Sequence, residues 1–223
     1  MPKFDAAIFD LDGTLFDSMG IWNKIDIDFL SRRSLVPDSD YMEKIGAMTE
    51  TEIALYTIKT YSLSDTPEEL IKEWNDMAIY EYTHNIPLKP HAFEYIKKLK
   101  SQGIKLASAT SSNRALYEPA MKRNGIFDFF DLVTSANHIS ISKTSPLFYK
   151  RISDMLGVKA ERCIVFEDVL TAARSAKNAG MAVCGVFDEA ARQNEKSLRS
   201  LSDFFIYSFA DAPDIFNPNR SKI

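Results

Sequence analysis

The sequence lacks the features that mark several large classes of protein. It has only two cysteines, Cys163 and Cys184, each inside an apolar, strand-like run. That scarcity excludes a disulfide framework as the organising device, and buried, reduced thiols are expected. No apolar run approaches the length of a helical membrane span, so no membrane partner is expected. The first residues enter a strand pattern almost at once, and no secretory apolar segment is expected ahead of it. Basic residues are scattered and the formal net charge is −4, so no nucleic-acid partner is expected and any anionic ligand must be attracted locally. Internal repeats and low-complexity tracts are also absent. These absences together predict a cytoplasmic protein, a monomer or a weak homo-oligomer.

What the chain does have is 223 residues with 45% hydrophobic content, enough for a sizeable core with a smaller insert. Ala6 to Phe9 reads as a buried strand. Residues 18 to 86 then read as helical. Asp17 or Ser18 is the expected cap of a helix through Ile21, Trp22, Ile25, Phe29 and Leu30. A second periodic stretch covers Ile45 to Ile58, and a third starts at Thr66-Pro67. After a return linker at Pro87 to Pro90 the pattern alternates. Strands are expected at 104–108, 132–134, 163–166, 182–187 and 204–207, with helices between them, including 113–123, 146–156 and 170–179. Alternation of this kind predicts an α/β fold, a doubly wound parallel sheet with an inserted α-helical cap domain. The expected division is a core of residues 1–17 and 87–223 and a cap of residues 18–86.

In such sheets ligands bind at the carboxyl ends of the strands, and several polar residues fall there. Asp10 and Asp12 follow the first strand, with Gly13 allowing the backbone to turn. Carboxylates at a buried strand end are costly unless neutralised. A hard cation such as Mg²⁺, held by one or two carboxylates with waters and phosphate, would neutralise them. A calcium loop needs an acid or amide at Thr14, so that alternative fails. Ser108, Ala109 and Thr110 end the strand 104–108, where hydroxyls and backbone N–H groups at a helix start form a ready phosphate site. Lys143 stands in a loop before Pro146. Glu167 and Asp168 make a second acidic pair at a strand end.

The string Asp10-Leu11-Asp12-Gly13-Thr14-Leu15-Phe16-Asp17 resembles the first motif of the haloacid dehalogenase superfamily, D-x-D-G-T-[LV]-x-D. Ser108, with Thr110 as the alternative, resembles the second motif. Lys143 before Pro146 resembles the third, although Thr144-Ser145 departs from the usual sequence after that Lys. Cys163 to Asp168, continuing to Met181, resembles the fourth, with Ala172 where Gly is common. The four motifs lie in order and span essentially the whole chain, with the insert of the subfamily that has an α-helical cap.

The resemblance implies Asp10 as nucleophile, Asp12 as general acid/base, and Mg²⁺ bound by Asp10, the Asp12 carbonyl and Asp168, with Glu167 assisting. Lys143, Ser108, Ala109 and Thr110 would hold phosphate, and Lys143 is expected to keep Asp10 ionised and lower its pKa. The expected substrate is a small phosphorylated metabolite. Met19, Trp22 and residues 46–49 are the candidates for contacting it from the cap. Asp at position 12 points to phosphate-ester chemistry rather than dehalogenation. A sugar phosphomutase of the β-phosphoglucomutase type is the alternative. Its pattern has cationic side chains where this chain places Trp22, Thr49 and Trp74, with Lys44 or Lys72 as substitutes. A non-catalytic binding module is the alternative of another class, and the intact set of Asp10, Asp12, Lys143 and Asp168 argues against it.

Overall fold

The computed structural model of the protein describes residues 4–46 and 48–215. In chain order the elements are β1 (Ala6–Phe9), α1 (Ile21–Arg32), α2 (Tyr41–Ile45), α3 (Glu50–Tyr61), α4 (Pro67–His84), α5 (Ala92–Ser101), β2 (Lys105–Ser108), α6 (Arg114–Arg123), α7 (Ala136–Ile139), α8 (Pro146–Leu156), β3 (Cys163–Glu167), α9 (Leu170–Asn178), β4 (Ala182–Val186), α10 (Glu195–Leu201) and β5 (Phe204–Ile206). The chain divides into two compact units. One is formed by the residues up to Ser18 and from Ile86 onward, the other by Met19–Asn85. Among the described residues no helix is long and apolar enough to cross a membrane.

The first unit is built on a five-stranded sheet of order β2-β1-β3-β4-β5, parallel throughout. Its strands are short and almost wholly buried, as expected when helices cover both faces. On one face Ala6 and Ile8 pack with Phe148, Tyr149 and Ile152 of α8, Ala173 and Ala176 of α9, and Leu198 of α10. On the other face Phe9 stacks on Phe166 with centroids 4.5 Å apart, and Tyr95 of α5 meets Phe166 edge-on at 5.6 Å. Alternate residues of β1 therefore serve opposite faces, the period-two pattern of a strand. Cys163 and Cys184 are free and buried.

The segment 132–134 does not form the expected strand. It touches β2 through an isolated bridge between Ala107 and Leu132, with another between Thr110 and Ser135. The Asp131 carboxylate accepts from Leu106 N–H at 2.9 Å, and the Ser108 hydroxyl takes both backbone groups of Thr134. Side chains thus interrupt the ladder, and Ser135 caps α7 immediately afterwards. Gly185 of β4 is required by a close approach. A Cβ there would lie 2.8 Å from both Phe205 Cδ2 and Ser202 Oγ. Overpacking at such a site costs about 1–3 kcal/mol, so Gly185→Ala is expected to lower Tm by several degrees in a thermal melt. An unchanged Tm would show that the Phe205 ring yields freely.

The second unit is the helical set α1 to α4. α4 begins where the sequence predicts. Glu69 N–H donates to Thr66 Oγ1 at 3.3 Å, the Glu69 carboxylate accepts from Thr66 N–H at 2.7 Å, and Pro67 starts the helix. The periodic stretch 45–58 is not continuous. α2 ends at Ile45, and Thr49 and Glu52 form a second capping box that starts α3. Arg33 ties the unit together by pairing with Glu73 and Asp65.

Candidate active site

Three strands that lie side by side, β2, β1 and β3, deliver the polar residues. Phe9 is in register with Ser108 on one side and Phe166 on the other. The carboxylate of Asp10, one residue beyond β1, therefore falls beside Glu167 and Asp168 at the end of β3. A carboxylate oxygen from each of these three lies within 4.8 Å of the other two, and all three residues are buried. Gly13 has φ +77°, and Gly13 N–H donates to the Phe16 carbonyl at 3.1 Å. Only glycine holds that left-handed turn without strain. The turn lets Asp12 follow Asp10 without continuing the strand.

Lys143 joins the cluster from the loop before α8. Its Nζ lies 2.5 Å from Asp10 Oδ1 and 2.8 Å from Glu167 Oε2, with the residue only 7% exposed. Three carboxylates around one ammonium leave two negative charges uncompensated when all are ionised. The electrostatics follow from that imbalance. Burial holds the Asp10 carboxyl well above its usual range. Lys143 acts in the opposite direction, and Glu167, Asp168 and Asp12 push it up further. Lys143 thus lowers the Asp10 pKa as expected, but desolvation and three acidic neighbours outweigh one cation and the carboxyl stays above its usual range. Asp168 is pushed up to about 7 by burial, then by Glu167. Burial alone would lower the Lys143 ammonium, but Asp10 and Glu167 hold it well above its ordinary value. A buried, all-oxygen donor set short of two positive charges fits a hard divalent cation.

Asp12 lies apart from this cluster and is half-buried. Ser18 Oγ donates to its Oδ1 at 2.8 Å and Ser112 Oγ to its Oδ2 at 2.5 Å. Ser18 is thus not the side-chain cap of α1, whose N-cap is Gly20. It is turned inward to the Asp12 carboxylate.

The residues at the end of β2 bond within the core. Ser108 is fully buried, donates to the Thr134 carbonyl at 2.9 Å and accepts from Thr134 N–H at 2.8 Å. Ala109 N–H donates to the Phe9 carbonyl at 2.7 Å. Both expected phosphate donors thus have hydrogen-bond partners within the core. Thr110, the alternative, lies beyond the strand end, and its Oγ1 accepts from Ser112 N–H at 2.9 Å. That leaves its own proton to donate.

Sequence reasoning missed four supporting side chains. Thr14 Oγ1 donates to Asp168 Oδ1 at 2.8 Å. Tyr149 Oη donates to Glu167 Oε2 at 3.3 Å from inside the core. Ser18 and Ser112 hold Asp12. Thr14 sits inside the first motif, and Tyr149 lies in the helix predicted after Lys143 and Pro146. Those two had a signal in the sequence, whereas nothing local marks Ser112.

Residues 7–186 match the family model described as haloacid dehalogenase-like hydrolase. Hexitol phosphatase B of Escherichia coli strain K12 is 27% identical over 183 residues, covering 79% of this chain and 80% of that protein. The phosphorylated carbohydrates phosphatase of Thermotoga maritima is 24% identical over 177 residues, covering 79% and 82%. Among solved structures, a β-phosphoglucomutase candidate from Thermotoga maritima superposes with a TM-score of 0.80 at 23% identity, covering 91% of this chain and 94% of that one. At that identity the likeness concerns the fold.

Proposed function

This chain belongs to the haloacid dehalogenase-like hydrolases, and from that premise we propose that it is a Mg²⁺-dependent phosphatase that hydrolyses a small phosphorylated metabolite through an aspartyl-phosphate. The observation that carries the reading is the buried cluster of Asp10, Glu167 and Asp168 bridged by Lys143. A purely structural site has no reason to bury three carboxylates around one cation. The names of the two phosphatase relatives support a phosphorylated carbohydrate or a similar small metabolite as substrate.

Asp10 and Asp168, with Glu167 beside them and the Asp12 carbonyl, would hold Mg²⁺. The ion supplies the missing positive charge and offsets charge on the phosphoryl oxygens. Asp10 attacks phosphorus. The new bond runs from its carboxylate oxygen to phosphorus, and the ester P–O bond breaks. Asp12 gives its proton to the departing alkoxide, then takes one from the water that hydrolyses the aspartyl-phosphate. Its half-buried position, with Ser18 and Ser112 fixing both oxygens, suits a group that must meet both leaving group and water. Lys143 and the Thr110 hydroxyl donate to the phosphoryl oxygens. Thr14 orients Asp168, and Tyr149 orients Glu167.

The test is phosphate release from a panel of phosphomonoesters after chelation and Mg²⁺ titration. Free phosphate is the expected product. With β-glucose 1-phosphate and a trace of the 1,6-bisphosphate, glucose 6-phosphate forming faster than free phosphate would replace this reading with the mutase. Asp168→Ala is expected to raise the Mg²⁺ needed for half-maximal activity by about tenfold or more, and an unchanged requirement would remove Asp168 from the metal site.

A further inference from the structure

Asp12 is held by two hydroxyls from distant parts of the unit that carries the sheet. Ser18 Oγ donates to its Oδ1 at 2.8 Å from six residues away. Ser112 Oγ donates to its Oδ2 at 2.5 Å from the loop after β2, one hundred residues away. A carboxylate held at one oxygen can still turn about its last torsion, which has a broad, shallow preference. Held at both oxygens, it keeps one orientation. The Ser112 hydroxyl is itself delivered by a fixed stretch of backbone. Before it, Ser112 N–H donates to Thr110 Oγ1 at 2.9 Å, the turn that a Thr side chain makes with the backbone two residues on. Thr110 is buried, and its carbonyl accepts from Ala136 N–H at 2.8 Å. After it, Asn113 caps α6 by accepting from Ala115 N–H at 3.1 Å. Ser112 is thus clamped between a closed turn and a capped helix start, so little further ordering is needed to aim its hydroxyl.

We propose that Ser112 is a positioning residue for proton transfer. It ties the Asp12 carboxylate to the loop whose Thr110 hydroxyl would hold a phosphoryl oxygen. The acid/base group and that part of the phosphate site then share one rigid support. The proposal rests on the phosphatase reading above and assigns a role to a residue outside the four motifs. In the first step the Asp12 O–H bond breaks as its proton passes to the ester oxygen and the P–O bond opens. In the second, water loses a proton to Asp12 as its oxygen bonds to phosphorus. Ser112 keeps its own proton in both steps and acts through Asp12. Positioned acid/base catalysis contributes about 10²–10⁴-fold, and a displacement of about 1 Å can cost about 10²-fold. The benefit depends on the leaving group. An alkoxide needs the proton, whereas p-nitrophenolate is weakly basic and departs without it.

The experiment compares wild type, Ser112→Ala and Ser112→Thr, in Mg²⁺, on glucose 6-phosphate, glycerol 2-phosphate and p-nitrophenyl phosphate. For the two alkyl esters Ser112→Ala is expected to lower kcat/KM by about 10–100-fold. For p-nitrophenyl phosphate kcat/KM covers only formation of the aspartyl-phosphate, and it should change little. Hydrolysis of that intermediate still needs Asp12 as base. The alanine variant should therefore release a larger burst of p-nitrophenolate than wild type and then turn over more slowly. Ser112→Thr keeps the hydroxyl and is expected to recover most of the alkyl activity. A thermal melt checks that each variant is folded. Equal losses on alkyl and aryl esters would mean that Ser112 serves the fold or the phosphate site, and would overturn the proposal. So would an alanine variant unchanged on all three esters, or a folded threonine variant as slow as the alanine one. If only p-nitrophenyl phosphate is hydrolysed, the burst alone decides. A wild type that releases phosphate from none of the three removes the phosphatase reading and the proposal with it. An active wild type whose alanine variant shows no such split removes the proposal alone.

Discussion

Asp10→Asn is expected to reduce phosphate release by on the order of 10⁶ while leaving the protein folded, since removing a catalytic nucleophile costs about that much where it has been measured. The amide matches the carboxylate in shape but has no lone pair reactive enough to attack phosphorus. The stability of the chelated protein should move the other way. Asp10 has its carboxyl held well above the usual value of 3.8, chiefly by burial. A carboxyl that binds its proton more tightly folded than unfolded contributes stability that is complete below about 3.8 and is lost as pH rises through the folded value. The contribution of Asp10 to the stability of the metal-free wild type therefore falls as pH climbs above about 4. The substituted amide never carries that charge, so the variant should weaken less and have an equal or higher Tm near neutral pH. Lys143 keeps Glu167 as its partner in the variant. Phosphate release, and melting of chelated protein across the acidic to neutral range, check both halves. Near-normal turnover would remove Asp10 from the nucleophile's role, and a large fall in Tm would mean that its charge supports the fold.

Lys143→Met should damage activity and stability together, which separates it from Asp10→Asn. The side chain is almost fully buried and bridges Asp10 and Glu167 at 2.5 and 2.8 Å. Met fills a similar volume and leaves Asp10, Glu167 and Asp168 together without a cation. Breaking a buried pair by removing one partner costs about 3–5 kcal/mol, equivalent to a Tm drop of roughly 6–20 °C for a chain of this size. The loss should narrow as pH falls, because protonating Asp10 and Asp168, whose carboxyls are both raised, removes two of the negative charges. It should also narrow on adding Mg²⁺, which replaces the missing cation electrostatically. Activity should not return with the metal. The ammonium is a fixed donor to the phosphoryl oxygens, and deleting one such donor costs about 10²–10³ in rate. A Tm within a degree of wild type, in chelator at neutral pH, would mean that the carboxyls are already protonated in the native protein. The Lys143 bridge would then contribute little to the fold.

Much of this was legible before any coordinates, and the reason is locality. The strand-to-loop strings at Asp10-Leu11-Asp12-Gly13 and Phe166-Glu167-Asp168 each combine a buried apolar run with acids at its end, within a few residues. A parallel sheet then has to bring such ends to one edge. Helix starts at Thr66-Pro67 and Ser145-Pro146 were visible because caps and proline act within one turn. Residues 132–134 misled because a short apolar run is read by composition alone. Whether it pairs as a strand depends on Asp131 and Ser108, whose side chains replace part of the ladder. The periodic stretch 45–58 is divided between two helices for a related reason. Periodicity carried on past Thr49, but its side chain and that of Glu52 satisfy backbone groups better by starting a new helix.

The sequence by itself therefore pointed to the residues that the fold gathers into the buried cluster, Asp10, Lys143, Glu167 and Asp168, and determined the α/β class of the fold and the helical block between the first two strands. All of these follow from patterns a few residues long. Only the tertiary structure decided how those groups are held and charged. Ser112 reaches Asp12 across one hundred residues, Thr14 reaches Asp168 across 154, and Tyr149 reaches Glu167 from the core side of α8. The same packing bonds the Ser108 hydroxyl to Thr134, while the Thr110 hydroxyl accepts from Ser112 N–H. It also outweighed the lowering of the Asp10 pKa by Lys143. A sequence shows that a lysine is available, but desolvation and the number of acids sharing that lysine are properties of the folded interior, and there burial outweighs a single cation.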